Sequence, residues 1–218
     1  CRVAVTMACP ALRPRARRLV TVPIGAWLAS LVFDESSVLF RGVTVTSVDP
    51  STNKPDVNSP NGRAFLRMKN GRMDVIDSKI MWLGNGLKET LSPKARVSTA
   101  QNEGGTYGFS YRISKGKLGV EIATGWVENS TFEHNHFGAY SFGASGIMWK
   151  DNLFTKNEVY GLDPHDDSNN ALIVGNRFLY NGKHGFIVSK RCNFNIIRNN
   201  TSVGNKLHGF MLHEDSAY

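Results

Sequence analysis

Residues 181–188 read Asn-Gly-Lys-His-Gly-Phe-Ile-Val, and the pattern returns 24 positions later in residues 205–212 as Asn-Lys-Leu-His-Gly-Phe-Met-Leu. The asparagine and the glycine of this pattern also occur in two earlier units, as Asn157 with Gly161 and Asn135 with Gly138. A second asparagine column has the same spacing and comprises Asn129, Asn152, Asn176 and Asn200. Two columns with one period of 23 to 24 residues indicate a solenoid, in which each repeat packs on its neighbours.

The composition of each unit indicates which solenoid this is. Apolar runs such as 171–174 and 185–188 are strand-like and too short for helices. The asparagines and glycines between them suit tight turns with positive φ. We therefore predict an all-β fold, a right-handed single-stranded parallel β-helix of about 23–24 residues per coil. Segments 37–48, 65–82 and 107–127 also have strand character and are predicted to be earlier coils of the same helix.

One tract departs from the repeat, and it reads Tyr160-Gly161-Leu162-Asp163-Pro164-His165-Asp166. Side chains alternate along a strand, so the second and fourth positions after the repeat glycine are predicted to point outward. Asp163 and His165 then share one outer face. In the preceding coil the same positions are Tyr140 and Phe142, and in the following coil the basic pair Lys190 and Arg191 comes just beyond this face.

Tyr160 comes just before the repeat glycine, in a column with Phe137, His184 and His208. The alignment therefore predicts that aromatic, acidic, imidazole and cationic side chains gather on one surface, although about 30 sequence positions separate the first from the last.

The tract 160–166, the segment 184–192 and Ile197-Arg198-Asn199-Asn200 together resemble the mannuronan C5-epimerases, in particular the brown-algal type and the related bacterial periplasmic type. The resemblance is dense from about residue 125 to the C-terminus and looser over 31–77. It implies a catalytic β-helix that inverts C5 of β-D-mannuronate inside a polymer, giving α-L-guluronate. It also implies that the Asp-Pro-His tract lines the polymer groove.

The residues suit this chemistry. Removing a proton α to a carboxylate requires neutralisation of that carboxylate, a base on one face of the sugar and a proton donor on the other. We predict His165 as the base, because imidazole is mostly neutral at neutral pH, and Tyr160 as the donor. Asp163 is predicted to orient the substrate carboxylate or to share a proton with it.

The neutralising cation is either Lys190 or Arg191. In the bacterial relatives that the chain resembles, one arginine fills this role shortly after a His-Gly pair. Counting from His184-Gly185 places Lys190 there, whereas counting from His165 favours Arg191.

Six further residues are predicted to contact the polymer. Arg112 belongs to them because Tyr107-Gly108 repeats the Tyr-Gly register of the central tract, which places Arg112 in the His165 column two coils earlier. The full set is Asp166, His184, Arg112, Tyr140, Phe142 and His208.

The charge balance agrees with an anionic polysaccharide as partner. Lys and Arg number 26 against 18 Asp and Glu, and a net charge of +8 favours polyanions. Nucleic acid is not predicted, because no basic helix or aromatic-basic binding motif is present. No uninterrupted apolar stretch of about 20 residues is present, so no membrane-spanning helix is predicted. Calcium-loop spacing is also missing, so no catalytic metal or cofactor is predicted, and calcium is expected only as a modulator that binds the polymer.

We predict two regions. Residues 1–30, with an Arg cluster before an apolar stretch, are predicted to be an N-terminal segment with part of a targeting sequence. Residues 31–218 are the predicted catalytic β-helix, expected to be truncated at its C-terminal end. The implied substrate places the protein in the cell wall, extracellular matrix or secretory pathway, as a secreted protein.

Two other function classes remain open. A polyuronate lyase begins with the same C5 proton abstraction and then eliminates the C4 oxygen. A non-catalytic polysaccharide-binding β-helix is the second alternative, which the grouping of His165, Asp163 and Tyr160 disfavours because binding alone does not need it.

Overall fold

A computed structural model describes residues 2–7, 20–22, 30–49, 51–57, 63–84 and 107–216 of the chain. These residues form 23 strands, which we number in chain order. The strands stack into three sheets along a common axis, and all pairings between successive coils are parallel. Among the described residues, no helix is long and apolar enough to cross a membrane. The all-β parallel solenoid predicted from the repeat is confirmed.

The groove sheet is the sheet that carries the Asp-Pro-His tract. Its strands are β3 (Ser30–Phe33), β7 (Phe65–Met68), β10 (Gly108–Arg112), β14 (Phe137–Phe142), β17 (Leu162–His165), β20 (Phe186–Ser189) and β23 (Phe210–His213).

The second sheet precedes the groove sheet within each coil. Its strands are β1 (Arg2–Met7), β2 (Val20–Val22), β5 (Val43–Asp49), β6 (Lys54–Pro55), β9 (Lys79–Met81), β13 (Thr131–Glu133), β16 (Leu153–Thr155), β19 (Arg177–Leu179) and β22 (Thr201–Val203). Strands β1 and β2, which lie within the predicted N-terminal segment, extend this sheet antiparallel at β5, and β6 also pairs antiparallel with β5.

The third sheet completes the coil. Its strands are β4 (Ser36–Arg41), β8 (Gly71–Ile76), β11 (Ala123–Thr124), β12 (Trp126–Glu128), β15 (Met148–Lys150), β18 (Leu172–Val174) and β21 (Ile196–Arg198). The earlier coils predicted from segments 37–48, 65–82 and 107–127 are therefore present.

Two asparagine ladders hold successive coils at a fixed register. In one ladder the Asn157 amide donates to Asn181 Oδ1 at 2.9 Å, and the Asn181 amide donates to Asn205 Oδ1 at 2.8 Å. In the other, Asn152 donates to Asn176 and Asn176 to Asn200, both at 3.0 Å. Each amide also donates to a backbone carbonyl, so the buried side chains are satisfied.

The first member of the second ladder differs from the prediction. Ser130, and not Asn129, donates its backbone N–H to Asn152 Oδ1 at 3.0 Å. Asn129 is exposed, has φ of 47°, and donates its side-chain amide to Asp77. The cause is a coil of 22 residues at this point, since Thr131 pairs with Leu153, whereas the next two coils have 24.

The interior of the helix is filled by residues of all three sheets. Phe132, Phe154 and Phe178 stack with ring centroids 4.9 and 5.1 Å apart, and Trp149 is fully buried beside them. Gly161 has no room for a side chain, because a Cβ there would overlap the carbonyl oxygen of Gly185. In the last coil the equivalent inner residues are exposed, with Phe210 at 48% and Leu212 at 69%.

Candidate active site

Three adjacent strands, β14, β17 and β20, bring the predicted site residues together. Tyr140 pairs with Asp163, Phe142 with His165, and His165 with Ser189. Arg112 on β10 pairs with Phe142, which confirms that it lies in the His165 column two coils earlier. The alternation is also as predicted, since Leu162, Phe186 and Val188 belong to the core.

An open cavity of about 430 Å³ lies against the ends of these strands. Its lining includes six of the predicted site residues, namely Arg112, Tyr140, Phe142, His165, Asp166 and Arg191. Tyr107 and Lys115 also line it and were not predicted as site residues. The repeated Tyr-Gly register marks Tyr107 in the sequence, whereas Lys115 lies in an irregular segment that gives no repeat signal.

His165 is held by its neighbour in the chain. Its Nδ1 lies 2.5 Å from Asp166 Oδ2, and its side chain is 22% exposed. Burial lowers the pKa of His165, and the positive charge of Lys190 acts in the same direction, while Asp166 opposes both. With Nδ1 directed at Asp166, the ring presents Nε2 as its second nitrogen, which is an acceptor in the neutral tautomer.

Asp163 lies on the predicted outer face but is not exposed. The residue is 3% accessible, and its Oδ1 is buried without a hydrogen-bond partner among the described residues. Burial and the nearby Asp166 raise the pKa of Asp163 well above its usual value, against the effect of Lys190. Burial therefore favours the neutral form of this carboxyl group over the charged form.

Tyr140, in the same outward column, is also 3% exposed. The Tyr107 ring stacks on it with centroids 3.6 Å apart, and its own ring lies 5.7 Å from that of His165. We call this outward face of the groove sheet the trough. At its floor the Asp163 and Tyr140 side chains are buried by their neighbours.

The two cations differ in their surroundings. Arg191 lies 2.9 Å from Asp167 and 3.3 Å from Asp166, and its side chain is half exposed. Lys190 lies 3.7 Å from Glu214. The backbone N–H of Asp167 donates to the Lys190 carbonyl at 3.0 Å, so this turn stacks on the turn that follows His165. Arg191 lines the cavity, whereas Lys190 acts on Asp163 and His165 through its charge.

The aromatic column was predicted correctly, and we call it the Tyr160 rim, although none of its members lines the cavity. Tyr160 lies 5.2 Å from Phe137 and 5.1 Å from His184, and His184 stacks on His208 at 5.0 Å, all between ring centroids. Lys183 Nζ is 6.0 Å from the Tyr160 ring. Tyr160, His184 and His208 precede groove-sheet strands, and Phe137 begins one. On the other side, which we call the His165 rim, His165 ends β17, and Asp166 and Arg191 follow β17 and β20. Asp163 and Tyr140 form the floor between the two rims.

Within the described ranges, no group of three or more His, Cys, Asp or Glu side chains is arranged to hold a metal ion. Cys192 is buried, and burial raises its pKa to about 12.

The chain is similar in sequence to known proteins. The family described as "Right handed beta helix region" matches residues 65–218. A mannuronan C5-epimerase of Pseudomonas putida is 33% identical over 186 residues, which is 72% of this chain and 36% of that protein. A mannuronan C5-epimerase of Pseudomonas fluorescens is 39% identical over 192 residues, 75% of this chain and 36% of that protein.

Solved structures give the same result. A single-site mutant of the periplasmic alginate epimerase AlgG superposes with a TM-score of 0.70 at 25% identity, over 84% of this chain and 41% of that chain. A double mutant of AlgG gives a TM-score of 0.69 at 26% identity, with the same coverage. The chain thus spans 36% of the length of the two curated relatives.

Proposed function

Because the chain belongs to the right-handed β-helix family and the similar curated proteins are mannuronan C5-epimerases, we propose that it is an isomerase of alginate. The reaction converts β-D-mannuronate to α-L-guluronate within the polymer, by proton abstraction at C5 and reprotonation from the opposite face. One observation carries the proposal: a half-buried histidine, fixed by a carboxylate and next to a cation, lines a cavity on the groove sheet.

His165 is the proposed base. The contact with Asp166 orients the ring, and the lowered pKa keeps the imidazole neutral at neutral pH, as a base must be. Asp166, first predicted to contact the polymer, is assigned a positioning role through His165. Replacing His165 with Gln removes the base and is expected to lower turnover by roughly two to four orders of magnitude.

Two groups lower the cost of forming a dianionic intermediate. Arg191 is the proposed partner of the substrate carboxylate, since it is the member of the basic pair that lines the cavity. Asp163, whose neutral form is favoured by burial, can when protonated donate a hydrogen bond to the same carboxylate. Lys190 contributes positive potential at both Asp163 and His165.

Tyr160 is the proposed proton donor because it stands on the other rim. His165 comes five positions after it, so their Cα atoms are at most roughly 17 Å apart along the strand. Both side chains flank a sugar ring laid on the floor between them. His184 and His208 continue the Tyr160 rim, and Arg112 and Phe142 continue the His165 rim, as contacts for neighbouring sugar units.

The test uses polymannuronate as substrate. Proton NMR of the product measures guluronate formation, and ultraviolet absorbance measures unsaturated chain ends. Guluronate without unsaturated ends is the expected result, accompanied by solvent deuterium at C5. Unsaturated ends as the main product would identify a lyase instead, and binding without turnover would identify a polysaccharide-binding module.

The site of action and the role of calcium follow from the same proposal. The similar AlgG structures are of a periplasmic enzyme, which supports an exported protein acting where alginate is found. Calcium is proposed to act on the polymer only. Equal activity after exhaustive chelation is expected, whereas loss restored only by calcium would contradict this.

A further inference from the structure

A partly buried ionic network lies beside the Tyr160 rim, outside the cavity: Arg63 and His136 are buried, whereas the Glu158 side chain is 44% exposed. Arg63 is 6% exposed, and its Nη2 donates to Glu158 Oε1 at 2.6 Å. The other carboxylate oxygen, Oε2, lies 2.8 Å from Nδ1 of His136, which is 3% exposed. None of these three residues has a part in the proposed chemistry.

Arg63 connects several coils at once. Its Nη1 donates to the His134 carbonyl at 3.0 Å, and Nη2 also donates to the Val57 carbonyl at 3.2 Å. The guanidinium carbon lies 5.4 Å from the Trp82 ring, which itself stacks on His134 at 4.4 Å. A planar guanidinium suits such a junction, because its donors point in fixed directions.

The network contacts the two turns that present the rim. Glu158 comes two residues before Tyr160, and His136 comes one residue before Phe137, whose ring lies 5.2 Å from that of Tyr160. The backbone N–H groups of Glu158 and Val159 donate to Asn135 and His136, both at 2.9 Å. Displacing Glu158 would therefore move the backbone that carries Tyr160.

Stability alone is a weak reason for this arrangement. Burying Arg63 and His136 costs desolvation free energy, and their pairing with a half-exposed carboxylate is screened by solvent and contributes little. The Arg63 Nε and the His136 Nε2 are also buried without a hydrogen-bond partner in the described part of the chain. Burial opposes ionisation of Glu158, but His136 and Arg63 outweigh it and lower the Glu158 pKa, so the carboxylate remains charged.

We propose that Arg63 is a positioning residue for Tyr160, acting through Glu158 and His136 to fix the turn from which the phenol reaches the sugar. The proposal rests on the proposed function. A shift of about 1 Å in a reacting group lowers turnover strongly without weakening substrate binding. Arg63 should therefore affect kcat and leave KM nearly unchanged.

The experiment compares Arg63→Met in the native and the Tyr160→Phe backgrounds. We expect Arg63→Met to lower kcat for guluronate formation about tenfold to a hundredfold, with KM within about twofold. In the Tyr160→Phe background the same change is expected to cost less than about twofold, because the group it positions is gone. Equal losses in both backgrounds, or an unchanged kcat, would overturn the proposal.

Matched variants separate positioning from folding. Arg63→Lys and Glu158→Gln keep much of the shape and are expected to give smaller losses in the same direction. Lys150→Met breaks an ion pair of similar length, 2.6 Å to Glu128 on the third sheet, and is expected to leave kcat unchanged. If Arg63→Met does not fold, the first two variants carry the test.

An activity-independent measurement covers failure of the proposed function. Native-state hydrogen exchange at the amides of Glu158 and Val159 is expected to accelerate about tenfold in Arg63→Met and not in Lys150→Met. Acceleration supports the fixed turn even if polymannuronate is not converted, and unchanged exchange would overturn the proposal.

Discussion

The surroundings of His165 shift the pKa of its imidazole in opposite directions. Burial and Lys190 lower its pKa below the ordinary value of 6.5, and Asp166 and Glu214 act to raise it. A base must be neutral, so activity should be present above the His165 pKa and lost as the pH falls through it. We expect the acidic limb of kcat/KM to have its midpoint below 6.5.

Neighbouring charges should move that midpoint in predictable directions. Asp166→Asn removes a negative charge and should lower the midpoint further, whereas Lys190→Met removes a positive charge and should raise it. The measurement is the pH profile of guluronate formation in each variant. Shifts of the opposite sign would exclude His165 as the group responsible for the limb.

Tyr160 decides between epimerisation and elimination in our mechanism. Tyr160→Phe removes only the hydroxyl and keeps the ring contacts with Phe137 and His184. We expect guluronate formation to fall by about two orders of magnitude, since the intermediate is no longer reprotonated efficiently. Proton NMR and the absorbance of unsaturated ends measure both products, after circular dichroism has verified the fold. An unchanged rate would make Tyr160 a packing residue.

The direction of each side chain was predictable from the repeat, but its environment was not. Alternation places Asp163 and His165 on one face, and the observed pairing with Tyr140 and Phe142 agrees. Burial of Asp163 depends on side chains from other coils, which no local pattern specifies. The contact between His165 and Asp166 depends on a turn in which Asp166 has φ of 39°, a rare conformation for a non-glycine residue.

The asparagine ladders should contribute strongly to stability. Asn181 is fully buried, and its side chain accepts from the Asn157 backbone and side chain and donates to Phe154 and Asn205. Asn181→Ala leaves these groups without partners, and we expect a loss of about 3 to 5 kcal/mol in the free energy of unfolding. Urea denaturation measures it. The exposed Arg177 on β19 is the control, with an expected loss below about 0.5 kcal/mol for Arg177→Ala.

The repeat spacing predicts a ladder residue correctly only where the coil length is constant. The spacing of 24 identified Asn152, Asn176 and Asn200 correctly, and the 22-residue coil before them moved Ser130 into the column in place of Asn129. The Ser130 hydroxyl donates to the Glu128 carbonyl of its own turn, and an alignment that follows only asparagines does not identify this position.

The inward side chains of the solenoid are buried to different extents in different coils. Ile173 and Ile197 pair in adjacent coils at the same inward position, yet Ile173 is fully buried and Ile197 is 39% exposed. We expect Ile173→Ala to cost about 2 to 5 kcal/mol of unfolding free energy. Ile197→Ala should cost less than about 1.5 kcal/mol, because the Ile197 side chain buries less apolar surface on folding.

Urea denaturation of both variants tests this gradient. Equal losses would indicate that another molecule covers β21 in solution, and sedimentation of the same samples would then show an associated species.

The coil architecture was predictable where the repeat is regular, and the additions to it were not. Strands β1 and β6 pair antiparallel with β5, and β2 pairs antiparallel with β1; among the described strands, these three have no counterpart in the repeating units. The pairing of Lys79 with Thr131 spans 52 residues, so one coil carries a long insertion that interrupts the period. The repeat gives no signal for such additions, because it specifies only the contacts between successive coils.

The asparagine ladders also limit how far the coils beneath the trough can separate. Since Asn157, Asn181 and Asn205 tie each coil to the next, the spacing between coils cannot widen without breaking several buried hydrogen bonds together. The floor of the trough is therefore rigid and does not open or close around a ligand. Under the proposed function, the polymer must therefore change its own conformation to bring C5 to His165.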